Sequence, residues 1–355
     1  MSIQRSPIPA PESGPDAGAV WHYGDPLGEQ RTASDAAVVV DRSHRATIAL
    51  TGQDRLSWLH TISSQHVAAM PEGAVVENLS LDGQGRVEDH WLQSDLGGTT
   101  TLDTEPWRGG PLSEYLRKMV FWSEVAVAPA ELAVLSLLGP AVDELSLSIP
   151  AAEWSAAALD DGGFVRRVGS RAVDLLVPHA AKEQWLERLD QLGVRRAGVW
   201  AYEALRAAAV QPRLGVDSDE RTIPHELGWI GGPGEGAVHL DKGCYRGQET
   251  VARVHNLGKP PRMLALLHLD GGEDRPATGD PVLAGGRTVG RIGTVAEHVD
   301  LGPIALALLK RGLPADTPLS TGGEPGIPAV IDPDSLPPVD GIGAGRQAVD
   351  RLRGR

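Results

Sequence analysis

The sequence predicts a mixed α+β protein that closes with a small β-barrel or sandwich. Short apolar runs of strand length recur along the 355 residues, and 43 glycines with 27 prolines cut them into brief pieces. Between residues 51 and 209, strand-like runs alternate with stretches of helical spacing. After about Gly258 only short strand-like runs remain.

Residues 1–30, rich in Pro, Ser and Gly, read as a flexible leader. Residues 31–130 form a first α+β unit. Ala36–Asp41 is its first strand, and Ala46–Leu50 runs toward a turn. Thr51 and Asp54 have the spacing of a helix capping box, with Leu56, Leu59 and Ile62 at helical intervals behind them. Val75–Leu81 and Val87–Leu92 flank Asp82-Gly83-Gln84-Gly85 as a hairpin. Leu112–Met119 reads as a helix and Val120–Val127 as a strand. Residues 131–258 form a second unit. There, Phe164–Val168 and Arg171–Val177 pair across a turn, and Lys182–Leu192 and Trp200–Ala209 are amphipathic helices. The similar order of elements in the two units suggests a duplication. Residues 259–355 form the barrel, from Arg262–Leu269, Pro281–Leu283, Arg287–Val295 and Ile304–Leu309. Pro318–Asp340 reads as a long loop, and Gln347–Arg355 as an edge strand or basic tail.

A formal charge of −14 gives no general attraction to nucleic acid or to an anionic membrane. No run of about 18 apolar residues occurs, and residues 1–18 lack the apolar core of a signal peptide. A cytoplasmic protein without a membrane partner is expected. One cysteine, Cys244, excludes an internal disulfide and any multi-cysteine metal site supplied by this chain alone. The histidines show no metal-ligand spacing, so no metal is expected.

Cys244 lies in Asp241-Lys242-Gly243-Cys244-Tyr245-Arg246-Gly247-Gln248-Glu249. Lys242 and Arg246 are cations that favour a thiolate, and the flanking glycines allow close backbone approach. An inert cysteine between two glycine bends is the competing reading. In the hairpin, Asp89 shares a strand face with Val87, so its carboxylate needs a donor. It either pairs with a ligand amine or belongs to a solvated turn. Glu203 and Arg206, three apart on a helix, form either a local ion pair or a carboxylate grip on a planar heterocycle with an opposing cation. Glu226, after Ile223-Pro224, is a further ligand candidate.

The run Lys242-Gly243-Cys244-Tyr245-Arg246-Gly247-Gln248-Glu249 resembles the K-G-C-Y-x-G-Q-E signature of YgfZ proteins, folate-binding relatives of the glycine-cleavage T-protein (aminomethyltransferase). Glu203-Ala204-Leu205-Arg206, Ile223-Pro224, Val251-Ala252-Arg253 and Asp82 through Arg86 extend the resemblance over residues 35 to 350. It implies two interleaved α+β domains and a C-terminal β-barrel around a central channel for tetrahydrofolate or a one-carbon derivative. With Gly85 placed on the turn glycine, Asp89 matches the aspartate of the transferases. Cys244 and Asp89 would then be the reactive groups. Glu203, Arg206, Glu226, Lys242, Tyr245, Arg246, Gln248, Glu249 and Arg253 would bind the folate. The implied role is an accessory factor for iron–sulfur client or assembly proteins, with an indirect effect on tRNA modification. A tetrahydrofolate-dependent aminomethyltransferase or demethylase, and a tRNA-binding modification factor, are the alternatives.

Overall fold

The computed structural model describes residues 6–160 and 162–336. Its elements are α+β, and they form two compact units. Residues to Ser80, Asp89–Tyr202 and Gly231–Gly243 make the first. Leu81–Glu88, Glu203–Ile230 and the chain from Cys244 onward make the second.

The first unit holds two sheets. One has five strands, in the order Val75–Leu81, Val87–Leu96, Thr99–Thr104, Ala46–Thr51, Ala126–Pro129. The other has six, in the order Ser155–Ala158, Phe164–Gly169, Ala172–Pro178, Leu132–Leu138, Val38–Asp41, Arg195–Ala197. Helix α1 (Pro26–Asp35) precedes both sheets in the chain. Helices α2 (Arg55–Ile62) and α3 (Pro106–Lys118) bury Trp58, Leu59, Leu112 and Leu116 with Ile48, Leu50, Trp91 and Leu102 of the five-stranded sheet. Helix α4 (Lys182–Gln191) does the same for the six-stranded sheet, through Trp185, Leu186 and Leu189 against Leu135, Leu137, Val173 and Leu175. Each sheet thus buries one face under helices, the repeated plan that the order of elements suggested. The repeats interleave. Val38–Asp41 comes before the whole five-stranded sheet yet pairs antiparallel with Leu132–Leu138 and parallel with Arg195–Ala197.

Within this unit a buried charge network links the two sheets. Arg166 and Asp174 face each other on adjacent strands and bond at 3.0 and 2.8 Å. Arg166 also donates to Asp103 of the five-stranded sheet, which accepts from Arg45 as well. Two guanidinium groups hold the Asp103 carboxyl well below the usual carboxylate range, although burial alone would raise it.

Helix α5 (Val199–Ala208) and helix α6 (Gln248–Leu257) come next. In the second unit, Arg262–Leu269, Gly302–Lys310, Arg287–His298, Pro281–Ala284, Leu319–Thr321 and Ile327–Ile331 form a closed barrel. Closure comes from Leu267–Leu269 pairing with Ala329–Ile331. Small and large apolar side chains, including Ala265, Leu267, Ile292, Ala305, Ala307 and Leu309, fill its interior.

Several expectations change. The stretch expected as a leader contains paired strands Ile8–Pro9 and Val20–His22 and the start of α1. Asp25 caps α1 by accepting from the Gly28 amide, and Glu29 accepts from the Tyr23 and Gly198 amides. Thr51 ends a strand and caps nothing. Asp54 is the N-cap of α2, and its carboxylate accepts from the Glu124 amide instead of the helix. Val120–Val127 is not a continuous strand, because Phe121 adopts φ +46° and the strand begins at Ala126. Pro318–Asp340 is not one loop, since Leu319–Thr321 and Ile327–Ile331 complete the barrel. Breaks at 130 and 258 are not where the compact units divide, because Val38–Asp41 pairs with the later sheet and residues 203–230 cluster with the barrel. The expectation for Gln347–Arg355 lies outside the described residues.

Candidate functional site

The hairpin turn at 82–86 is tight. Asp82 accepts from the Gln84 and Arg86 amides through its side chain, at 2.8 Å each, and from the Gly85 amide through its carbonyl. In the second unit this tip packs against the cysteine loop. Gly247 is the N-cap of α6 at φ +80°. A Cβ there would stand 2.6 Å from the Asp82 carbonyl oxygen and 2.8 Å from Gly85 Cα. Gly85, at φ +76°, would place a Cβ 2.8 Å from Thr250 Cβ. Glycine meets glycine because neither side has room for a side chain. Glu88 adds an exposed ion pair, accepting from Arg246 Nη1 at 2.9 Å.

On this support Cys244 is exposed. Tyr245 beside it is buried, and burial pushes its phenol up to about 12. Helix α6 buries only Val251. Glu249 and Arg253 are exposed, and Gln248 is half-buried. Six of the expected residues, Cys244, Tyr245, Arg246, Gln248, Glu249 and Arg253, therefore share one loop and helix.

The other expected residues are engaged elsewhere. Lys242 belongs to the first unit and is buried. Its ammonium donates to the carbonyls of His60 and Ser63, at 2.5 Å each, and of Gln65 at 3.3 Å. It thus satisfies carbonyls at the C-terminal end of α2, which a helix leaves without partners. Burial lowers its pKa to about 8, while three carbonyl acceptors favour the charged form. Asp89, also in the first unit, is 2% exposed. It accepts from Ser80 Oγ and from Arg108 Nε, each at 2.7 Å. Val87, Asp89 and Trp91 share the buried strand face, as the alternation indicated.

In the second unit, Arg206 donates to both oxygens of Glu203, to Asp217 and the Gln211 carbonyl, and to Thr294 of the barrel. Asp217 in turn accepts from the Thr294 amide at 2.7 Å. Two carboxylates raise the Arg206 pKa despite its burial. Glu226 receives both Nε and Nη2 of Arg262, at 2.8 Å each, in a fork-to-fork pair, and it also accepts from the Ile223 amide. Arg262 grips Asp219 as well, which brings that carboxyl down to about 2 against its burial. Sequence reading missed Arg108, Asp217 and Arg262. Only the buried carboxylate positions, each needing a donor, gave any signal of them. Among the described residues, no group of three or more His, Cys, Asp or Glu could hold a metal ion, and no helix is long and apolar enough to cross a membrane.

No family model matches the chain. It is 26% identical over 332 residues to an aminomethyltransferase of Nostoc, covering 84% of this chain and 85% of that one. It is 25% identical over 296 residues to the tRNA-modifying protein YgfZ of Vibrio atlanticus, covering 79% of this chain and 86% of that one. The crystal structure of the glycine cleavage system aminomethyltransferase T from Bartonella henselae superposes with a TM-score of 0.78 at 19% identity, over 90% of this chain and 91% of the other. The fold is therefore the T-protein fold, two sheets with helices and a closed barrel. In sequence the chain is similar both to aminomethyltransferases and to a YgfZ protein.

Proposed function

We propose that this chain is a folate-binding accessory protein of the cytoplasm. It supports assembly or repair of iron–sulfur proteins and, through them, tRNA modification. One observation carries the reading: the sole thiol is exposed on a loop that resembles the YgfZ signature, in a chain that aligns with an aminomethyltransferase over most of its length.

The donor set supports a reduced folate. Such a ligand carries a glutamate tail with carboxylates and a pteridine ring with amine and amide edges. Arg86, Arg246 and Arg253 are exposed cations at the tip, loop and helix, suited to carboxylates. Glu249 and Gln248 suit the ring edge. When bound, tetrahydrofolate supplies a reduced ring able to carry a one-carbon unit. Cys244 offers a nucleophile or a transient iron ligand, completed by thiols of the client protein. Glu203, Arg206 and Glu226 are paired within the framework of the second unit, and Lys242 anchors the chain that leads into this segment. In the first unit, Asp89 is held in the same way, by Ser80 and Arg108.

Anaerobic equilibrium dialysis with tetrahydrofolate tests the proposal. Saturable retention, weakened by Arg253→Ala, is expected; no retention overturns it. Cells that carry Cys244→Ser as their only copy should lose activity in iron–sulfur enzymes while the protein stays folded.

A further inference from the structure

Two histidine contacts flank the cysteine loop, one in each unit. Ahead of it, residues 231–243 are tied to the segment that follows α2. Gln65 Nε2 donates to the carbonyls of Gly236 at 2.6 Å and Gly231 at 3.3 Å. Ser64 Oγ donates to the Ala237 carbonyl at 2.7 Å, and the His239 amide donates to the Ser64 carbonyl. Lys242 completes the attachment through its three carbonyls. The same segments carry three imidazoles in contact. His60 and His66 have ring centroids 4.8 Å apart, and His66 and His239 5.3 Å apart. The other charged groups of this stretch are Glu235, Asp241 and Lys242.

Behind the loop, α6 rests on the short helix Pro224–Leu227, where the His225 and His255 rings lie 6.2 Å apart. Both ring nitrogens of His225 are buried with no hydrogen-bond partner. The neighbouring charges are His255 from α6 and Glu226, with Arg262 and Asp219 bound together beyond it. A proton added to His225 would find no acceptor, and one added to His60 would join two imidazoles and an ammonium.

We propose that residues 231–257 form a proton-sensitive strap, which holds Cys244 in place while His60 and His225 are neutral and loosens on both sides of it when they are protonated. The inference is independent of folate binding. Burial first, and then His255, brings His225 down to about 4. Burial first, and then Lys242, His66 and His239, lowers His60. Each is a base whose packed form binds protons more weakly than its released form. Its contribution is therefore complete above the ordinary value near 6.5 and is lost as pH falls below it.

Hydrogen exchange of the full chain at pH 7.5 and 5.5 (values corrected for intrinsic rates) tests this. A side chain titrating near 6.5 when released and near 4 when packed favours the open form about tenfold at pH 5.5. Residues 248–257 should lose about tenfold protection, and residues 231–243 should lose protection too. The barrel strand Gly302–Lys310 should lose none. His225→Gln should abolish the loss in 248–257, and His66→Gln with His239→Gln should reduce it in 231–243. Unchanged protection in wild type overturns the proposal. So does an equal loss in the barrel, or the same loss in folded variants.

Discussion

The second unit contains two regions equally rich in charge that use it in opposite ways. In residues 203–226 with Arg262, carboxylates and guanidinium groups bond to one another: Glu203 and Asp217 to Arg206, Glu226 and Asp219 to Arg262. In residues 244–253, Cys244, Arg246, Glu249 and Arg253 are exposed, and Arg246 makes a solvent-facing ion pair with Glu88. The difference lies in burial. A buried charge must be paired, so it becomes framework. An exposed one keeps its capacity for a ligand. Charge density alone does not mark a site.

Breaking the framework should have the largest effect on stability. Arg206→Ala removes the guanidinium that both Glu203 and Asp217 bond, and should cost about 3–5 kcal/mol, read by chemical denaturation. Arg262→Ala should cost about 2 kcal/mol, because Asp219 reaches solvent and is screened. That pair also sets an acid limit. Asp219 has a lowered folded value, so its contribution is complete above about 4 and is lost as pH falls through about 2. Thermal melts from pH 5 to 2 should show an acid decline in wild type that is flatter in Asp219→Asn. Gly247→Ala forces a side chain into a left-handed backbone against Asp82 and should cost about 1–2 kcal/mol, with faster exchange confined to residues near the loop. Arg253→Ala sharpens the comparison most. It should change stability by less than about 0.5 kcal/mol yet weaken tetrahydrofolate binding. An Arg253 variant as unstable as the Arg206 variant would erase the distinction between the regions.

Much of this organisation was legible in the sequence where the signal is local. The hairpin tip, the helical spacing of Glu203 and Arg206, and most barrel strands follow from neighbouring residues. The rest depends on remote partners. Arg206 reads as half of an i,i+3 pair, but Asp217 and Thr294 make it a brace to the barrel. Lys242 reads as a thiol activator, but its ammonium faces the carbonyls of residues some 180 positions earlier. Leu319–Thr321 and Ile327–Ile331 are too short, and too close to Gly and Pro, to read as strands without the partners they pair with. Asp25-Pro26 did carry a helix-start signal, an N-cap followed by proline at the first turn, and composition masked it.

The central claim is that the exposed loop, and not the paired framework, meets the ligand. Anaerobic alkylation of Cys244, followed by mass spectrometry with and without tetrahydrofolate, tests it most directly. The account predicts that saturating tetrahydrofolate slows modification of Cys244, and that the protection weakens in Arg253→Ala. An alkylation rate unaffected by saturating ligand would contradict it.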